Sequence, residues 1–158
     1  MEAIIRNAER KDLPQILELI KELAIYEKEP DAVEVTVAEL EDAGFGKNPQ
    51  YYCFVAEVSG TIVGMALLYF RFSTWKGKTV HLEDLIVTQS MRGKGIGEQL
   101  YRRVMEFALA HDVKRVNWEV IGWNTGAIQF YERTGAKVLN DWWRVDFSKD
   151  ALEKYMNL

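Results

Sequence analysis

Arg92-Gly93-Lys94-Gly95-Ile96-Gly97 places three glycines in six residues. Glycine lets a backbone turn sharply and come close to a ligand. An apolar run over 79–88 precedes the stretch. Ile96, Leu100, Val104, Phe107 and Ala108 follow it at helical spacing. The loop therefore leaves a strand and opens a helix, where unpaired N–H groups and the helix dipole together favour an anion such as phosphate. Arg92 and Lys94 add positive charge. A strand-to-helix connection that uses glycine only for tightness gives the same pattern, so the loop alone is a weak signal. Two other phosphate loops fail on spacing. A Walker A loop needs Lys and then Ser or Thr after its last glycine, and here Glu98 follows Gly97. A dinucleotide fingerprint belongs at the start of a parallel βαβ unit, whereas this loop comes after consecutive strands joined by turns.

Those strands lie upstream. Residues 51–58 and 61–72 are rich in β-branched and aromatic residues and flank Ser59-Gly60, which predicts a hairpin. Trp75-Lys76-Gly77-Lys78 makes the next turn, into the strand at 79–88. Before them, residues 3–6 form a short strand. Asp12, with Pro14 and Gln15 behind it, reads as the cap of a long helix carrying an apolar stripe from Leu13 to Ala24. Thr36 and Glu39 form a capping box for a shorter helix ending near Gly44 and Gly46. Downstream, a strand is expected at 113–121, a helix from Asn124 to Gly135, a late strand at 141–147 and a short helix at 148–155. The order is β-α-α-β-β-β-α-β-α-β with a terminal helix: a mixed α/β fold, an antiparallel meander followed by one parallel step, in a single domain 1–158.

Composition narrows the class of partner. The 158 residues carry a formal net charge of −4, with 48% hydrophobic and 28% charged residues. An acidic chain is a poor match for nucleic acid or an anionic membrane surface. No run approaches the ~20 apolar residues of a membrane span, and the charged first ten residues do not read as a signal peptide. Cys53 is the one cysteine. It lies in an apolar run and is expected to be buried, which fits a reducing cytoplasm. No grouping of His, Cys and acidic residues suggests a metal.

Three motifs in order carry a family resemblance. The loop resembles the Arg/Gln-x-x-Gly-x-Gly/Ala pyrophosphate loop of the GNAT acetyltransferases. Leu82-Glu83-Asp84-Leu85-Ile86-Val87 resembles that family's cofactor strand. Trp123-Asn124 with Phe130-Tyr131-Glu132-Arg133-Thr134-Gly135-Ala136 resembles its Asn…Tyr helix. Further stretches, Ile20-Lys21-Glu22-Leu23-Ala24 with Tyr26-Glu27, Asp42-Ala43-Gly44-Phe45-Gly46 and Trp75-Lys76-Gly77-Lys78, resemble the diamine acetyltransferase branch, the spermidine/spermine and thialysine enzymes. The resemblance implies a GNAT fold, a central mixed, mostly antiparallel sheet flanked by helices. It also implies acetyl-CoA as acyl donor, a small cationic amine as acceptor and a homodimer.

The same resemblance distributes roles. Backbone amides of Arg92, Gly93, Lys94, Gly95, Ile96 and Gly97 would hold the pyrophosphate, and the backbone of Leu85, Ile86 and Val87 the pantetheine arm. Asn124, Gly126 and Ala127 lie on the cofactor side, although Asn124 is equally a good helix cap. Tyr131 would protonate the leaving thiolate. Glu83 would take the amine's proton, directly or through a water. Tyr26, Glu27, Glu83, Asp84, Trp75, Asn117, Trp118, Glu119, Asp141 and Trp143 would contact the substrate, with carboxylates matching ammonium groups and tryptophans offering cation–π walls. Glu83 and Asp84 are neighbours on a strand, so they are expected on opposite faces. Polyamine acetylators carry an acid two residues before the tryptophan of the turn, where this chain has Ser73. That removes one expected anionic contact, speaks against long polyamines, and leaves short diamines, thialysine or another small amine as acceptors. His81 and His111 are isolated in sequence and read first as structural, with contact to a proton path as the alternative for His81, which precedes Leu82-Glu83-Asp84. Two other functions fit the same motifs: acetylation of a protein amine, and a non-catalytic acyl-CoA sensor.

Overall fold

A computed structural model of the chain describes residues 2–157. The strands are β1 (Ile4–Asn7), β2 (Tyr52–Val58), β3 (Thr61–Ser73), β4 (Gly77–Val87) and β5 (Val116–Asn117). The helices are α1 (Leu13–Tyr26), α2 (Val37–Phe45), α3 (Ile96–Ala110), α4 (Thr125–Arg133) and α5 (Lys149–Met156). The sheet runs β1-β2-β3-β4-β5. The first four strands are antiparallel, and β5 joins β4 in parallel after the α3 crossover. The mixed α/β class and the meander are as the sequence predicts.

The chain divides into two compact units, the first ending at Glu119 and the second beginning at Val120. In the first unit, alternation along the strands sends one set of side chains to each face of the sheet. Phe54, Ala56, Ala66, Leu68, Val80 and Leu82 pack with Ile96, Leu100, Val104 and Phe107 of α3. Cys53, Val55, Met65, Leu67 and Ile86 pack with Leu13, Ile16 and Leu17 of α1 and Leu40 of α2. Cys53 is buried, and burial raises its thiol pKa above the ordinary cysteine value, which suits packing rather than nucleophilic chemistry. The second unit holds α4 and α5. Asn124 and Ser148 cap them by accepting the N–H of Ala127 (3.3 Å) and Ala151 (3.1 Å). Thr36 does the same for α2 with Glu39 (3.2 Å).

Three local expectations differ from the structure. Asp12 precedes α1 but does not cap it with its side chain. Its carboxylate is taken by Arg6 (2.7 and 3.0 Å) and by the Glu9 N–H (2.7 Å). Gln15 instead accepts the N–H of Ile62 (2.9 Å). The strand expected at 113–121 is only Val116–Asn117, and pairing ends at His81–Asn117. Two residues later β4 carries a bulge: Leu68 faces Leu82 and Leu67 faces Asp84, leaving Glu83 as the extra residue. A bulge bends its strand and interrupts the ladder, so a parallel neighbour cannot follow. The late strand at 141–147 does not form. Trp142, Trp143 and Val145 there are strongly exposed. Strand preference of such residues needs a surface to pack on and a neighbour to pair with.

Candidate active site

Gly93 and Gly95 have φ of 77° and 80°, the left-handed region that residues with a Cβ adopt at a cost. Gly95 is also the N-cap of α3, so no side chain caps the first amides of that helix. An uncapped helix start behind two left-handed glycines is a concavity of N–H groups suited to a phosphate. The residues present therefore fit a pyrophosphate. Arg92 is anchored rather than loose: Nε donates to Val87 O (2.8 Å), Nη2 lies 3.9 Å from Glu22, and the guanidinium stands 5.1 Å over the Tyr26 ring. Glu22 also accepts from Thr88 Oγ1 and Gln89 N (2.9 Å each). These contacts tie the glycine loop to the C-terminal turn of α1.

On β4, Leu85, Ile86 and Val87 pair with β3 on one edge. The pairing with β5 stops at His81, so among the described residues no strand lies beside the other edge of this segment. Ile86 packs toward α1 and Leu85 and Val87 toward α3. Only the backbone of the three residues meets that edge, and an extended amide-bearing chain could pair there as an added strand.

The bulge corrects the expectation for the two acids. Asp84 sits opposite Leu67, which faces α1. Glu83 accepts from Tyr69 Oη (3.2 Å) and lies 3.3 Å from His81 Nε2, and Tyr69 packs on the same α1-side cluster. Both carboxylates therefore face α1, because the extra residue cancels the alternation between them. Burial first, then the charges of Glu83 and Glu27, push the Asp84 carboxyl up to about 6. Burial also raises Glu27, the C-cap of α1. Tyr69 is raised by burial and by Glu83, with Glu119 adding to the effect. Glu27, Glu83, Asp84 and Glu119 thus share one electrostatic neighbourhood, and Asn117 reaches it through His81 (3.2 Å).

In the second unit, Tyr131 is half-buried on α4 and meets Phe130 edge-on at 5.6 Å. Asn124, Gly126 and Ala127 form the start of that helix. Asp141 and Trp143 lie exposed in a segment without regular structure.

A profile of the acetyltransferase (GNAT) family matches residues 13–136. The chain belongs to this family. It is 40% identical to the human spermidine/spermine N(1)-acetyltransferase-like protein 1 over 94% of its length, spanning only 23% of that longer protein. It is 37% identical to the bovine thialysine N-epsilon-acetyltransferase, over 96% of this chain and 95% of that one. Among solved structures, an integron cassette protein from the mobile metagenome of V. cholerae shares the fold with a TM-score of 0.79 at 23% identity, covering 100% and 99% of the two chains. A Trypanosoma brucei acetyltransferase has a TM-score of 0.73 at 25% identity, over 92% of this chain and 99% of that one.

Within this GNAT chain the first unit gathers Tyr26, Glu27, Glu83, Asp84, Asn117 and Glu119 near one another and ties Tyr26 to the glycine loop. Two sequence-derived contacts lie elsewhere. Trp75 is 79% exposed at the tip of the β3–β4 hairpin, roughly 20 Å of strand away from Glu83. Trp118 packs edge-on against Tyr101 of α3, on the opposite face of the sheet from the carboxylates. Ser73, which stands where an acid was expected, accepts the N–H groups of Trp75 and Lys76 (3.1 Å each) and shapes the turn. Sequence reasoning missed Glu22, Tyr69 and Arg71. Glu22 could have been found four residues before Tyr26, on the same helix face.

Proposed function

We propose that this protein transfers an acetyl group from acetyl-CoA to the primary amine of a small cationic molecule, a short diamine or a thialysine-like amine. The observation that carries this reading is the set Glu27, Glu83 and Asp84, gathered on the α1 side of β4 immediately before its open edge. Asp84, half-buried and raised by burial and by the charges of Glu83 and Glu27, is stabilised in its ionised form by an arriving ammonium group.

Acetyl-CoA supplies a thioester carbonyl when bound. The amides from Arg92 to Gly97 hold the pyrophosphate, and the backbone of Leu85, Ile86 and Val87 lines the pantetheine arm. A backbone N–H on the open edge of this segment would stabilise charge on the carbonyl oxygen. Glu83 accepts the ammonium proton, through a water where needed, since a protonated amine has no lone pair to attack with. Tyr131 Oη carries the proton a departing thiolate needs, phenol and thiol acidities being close. Asn124, Gly126 and Ala127 support the cofactor at the start of α4. Tyr26, Glu27, Asp84, Asn117 and Glu119 hold the chain of the amine, and Asp141 and Trp143 are the further amine contacts that the family resemblance implies. The family match runs through the boundary after Glu119, which supports one catalytic domain over 1–158.

The exposed Trp142, Trp143 and Phe147 support a homodimer that covers them. A single buried thiol suits a cytoplasmic setting. Among the described residues, no helix is long and apolar enough to cross a membrane. Mass spectrometry of products from acetyl-CoA with short diamines, thialysine and lysine peptides tests the acceptor. Mono-acetylated small amines are expected. Acetylated peptides alone would overturn the small-amine reading, and CoA binding without any product would favour a sensor.

A further inference from the structure

His81 is 6% exposed in the middle of β4, its ring tilted against Tyr69 at 5.2 Å. Its two nitrogens meet different chemistry. Nδ1 lies 3.1 Å from Arg71 Nη1 and 3.2 Å from the Asn117 side-chain amide. With that amide oriented so that its oxygen accepts from Arg71 Nη1 (3.2 Å), its nitrogen donates to Val80 O (3.3 Å) and to His81 Nδ1 (3.2 Å). A guanidinium can only donate. Both neighbours of Nδ1 are therefore donors, Nδ1 is the acceptor, and the ring proton sits on Nε2. Nε2 in turn lies 3.3 Å from Glu83 Oε2, the same oxygen that accepts from Tyr69 Oη at 3.2 Å.

We propose that His81, fixed as the Nε2–H tautomer by Arg71 and Asn117, is a positioning residue that sets the rotation of the Glu83 carboxylate for the amine. The proposal rests on the reading of Glu83 as proton acceptor. Glu83 is the extra residue of a bulge, so the strand ladder does not fix its side chain. The Tyr69 hydroxyl, which donates to that oxygen, and His81 Nε2, 3.3 Å from it, supply that constraint instead. The chain from Arg71 and Asn117 through His81 to Glu83 spans β3, β4 and β5, three strands whose register the sheet already holds. His111 is the built-in contrast: its Nδ1 lies 2.8 Å from the Phe107 carbonyl, which only accepts, so its proton sits on Nδ1.

Two measurements test this. The first is a double-mutant cycle on amine acetylation, with melting temperature recorded for every variant. His81→Phe should lower kcat about 10- to 100-fold, the range that loss of a hydrogen bond to a charged group converts to. The KM for acetyl-CoA should stay unchanged. His81→Gln, which keeps an N–H near the Nε2 position, should recover most of the loss. In the Glu83→Gln background, His81→Phe should cost little more. Losses that multiply in the double variant, or a His81→Gln as slow as His81→Phe, overturn the proposal. The second is ¹⁵N NMR of the two imidazole rings. The expected spectrum has His81 protonated on Nε2, His111 on Nδ1, and a His81 Nε2 signal that moves in Glu83→Gln. A His81 proton on Nδ1, or no response to Glu83→Gln, overturns the contact even if no amine turns over. Turnover that needs Glu83 but ignores His81 overturns this inference and leaves the acetyltransferase reading standing.

Discussion

Up to Glu119 the chain buries apolar side chains on both faces of its sheet, whereas from Val120 onward none of the described side chains is buried and Trp142, Trp143 and Val145 stand 73, 89 and 91% exposed. The first region holds the glycine loop, the open edge of β4 and the carboxylates, each braced by packing or by hydrogen bonds. The second holds Asn124 and Tyr131 on α4, a helix that the Asn124 side chain caps. Substitutions in the two regions should therefore separate rate from stability. Where the core is deep, a change costs folding. Where it is absent, a change can cost chemistry and leave the melting temperature alone.

The largest expected effect belongs to the second region. Tyr131→Phe should lower kcat by about 10² to 10⁴, the usual contribution of a general acid, with melting temperature unchanged. A melting temperature that falls with the rate would break the comparison. Leu100→Ala, at the centre of the α3 side, should cost about 2–5 kcal/mol of stability by denaturant titration. The activity per folded molecule should survive. Asp84→Asn sits between these cases, because a carboxyl raised to about 6 costs stability wherever the fold must hold it ionised. That cost is full above about pH 6 and fades as pH falls, until below the ordinary carboxylate value both folded and unfolded forms are protonated. The variant should thus be more stable than wild type at pH 8 by up to roughly 3 kcal/mol and equal to it near pH 3.5. Amine binding by the wild type should weaken as pH drops through about 6, where the amine itself stays cationic. A stability gain that persists in acid would contradict the assignment.

Smaller effects sharpen the same contrast. Gly95→Ala forces a Cβ into the left-handed region and should cost about 1 kcal/mol. It should raise the KM for acetyl-CoA more than that for the amine. Trp143→Ala should change monomer stability by less than about 0.5 kcal/mol. If the exposed tryptophans meet in a dimer, it should weaken association in sedimentation experiments.

Much of this was legible in the sequence, where the signal is local. The glycine loop needs only its own residues and the periodicity on either side. The caps at Thr36 and Asn124 follow from one side chain and an amide three residues on. The side chain of Asp12 misled because Arg6 and the Glu9 amide compete for it, a partnership that appears only once the turn between them has formed. The bulge at Glu83 is a property of the register between β3 and β4, and no pattern within 82–87 reports it. That one residue decides whether the two acids face apart or together. Residues 141–147 carry aromatic and β-branched side chains, but such content forms a strand only against a surface, and Trp142, Trp143 and Val145 stay exposed. The network around His81 draws on three strands and lies beyond any local motif.

The central claim is that the carboxylates beside the bulge make this GNAT enzyme select a small cationic amine. Steady-state thiol release from acetyl-CoA, compared between a short diamine and a neutral monoamine of equal length for wild type and Asp84→Asn, tests it most directly. A kcat/KM for the diamine at least about tenfold higher, with most of that preference lost in Asp84→Asn, is the predicted result. Equal rates for the two amines, or a preference untouched by the substitution, would contradict it.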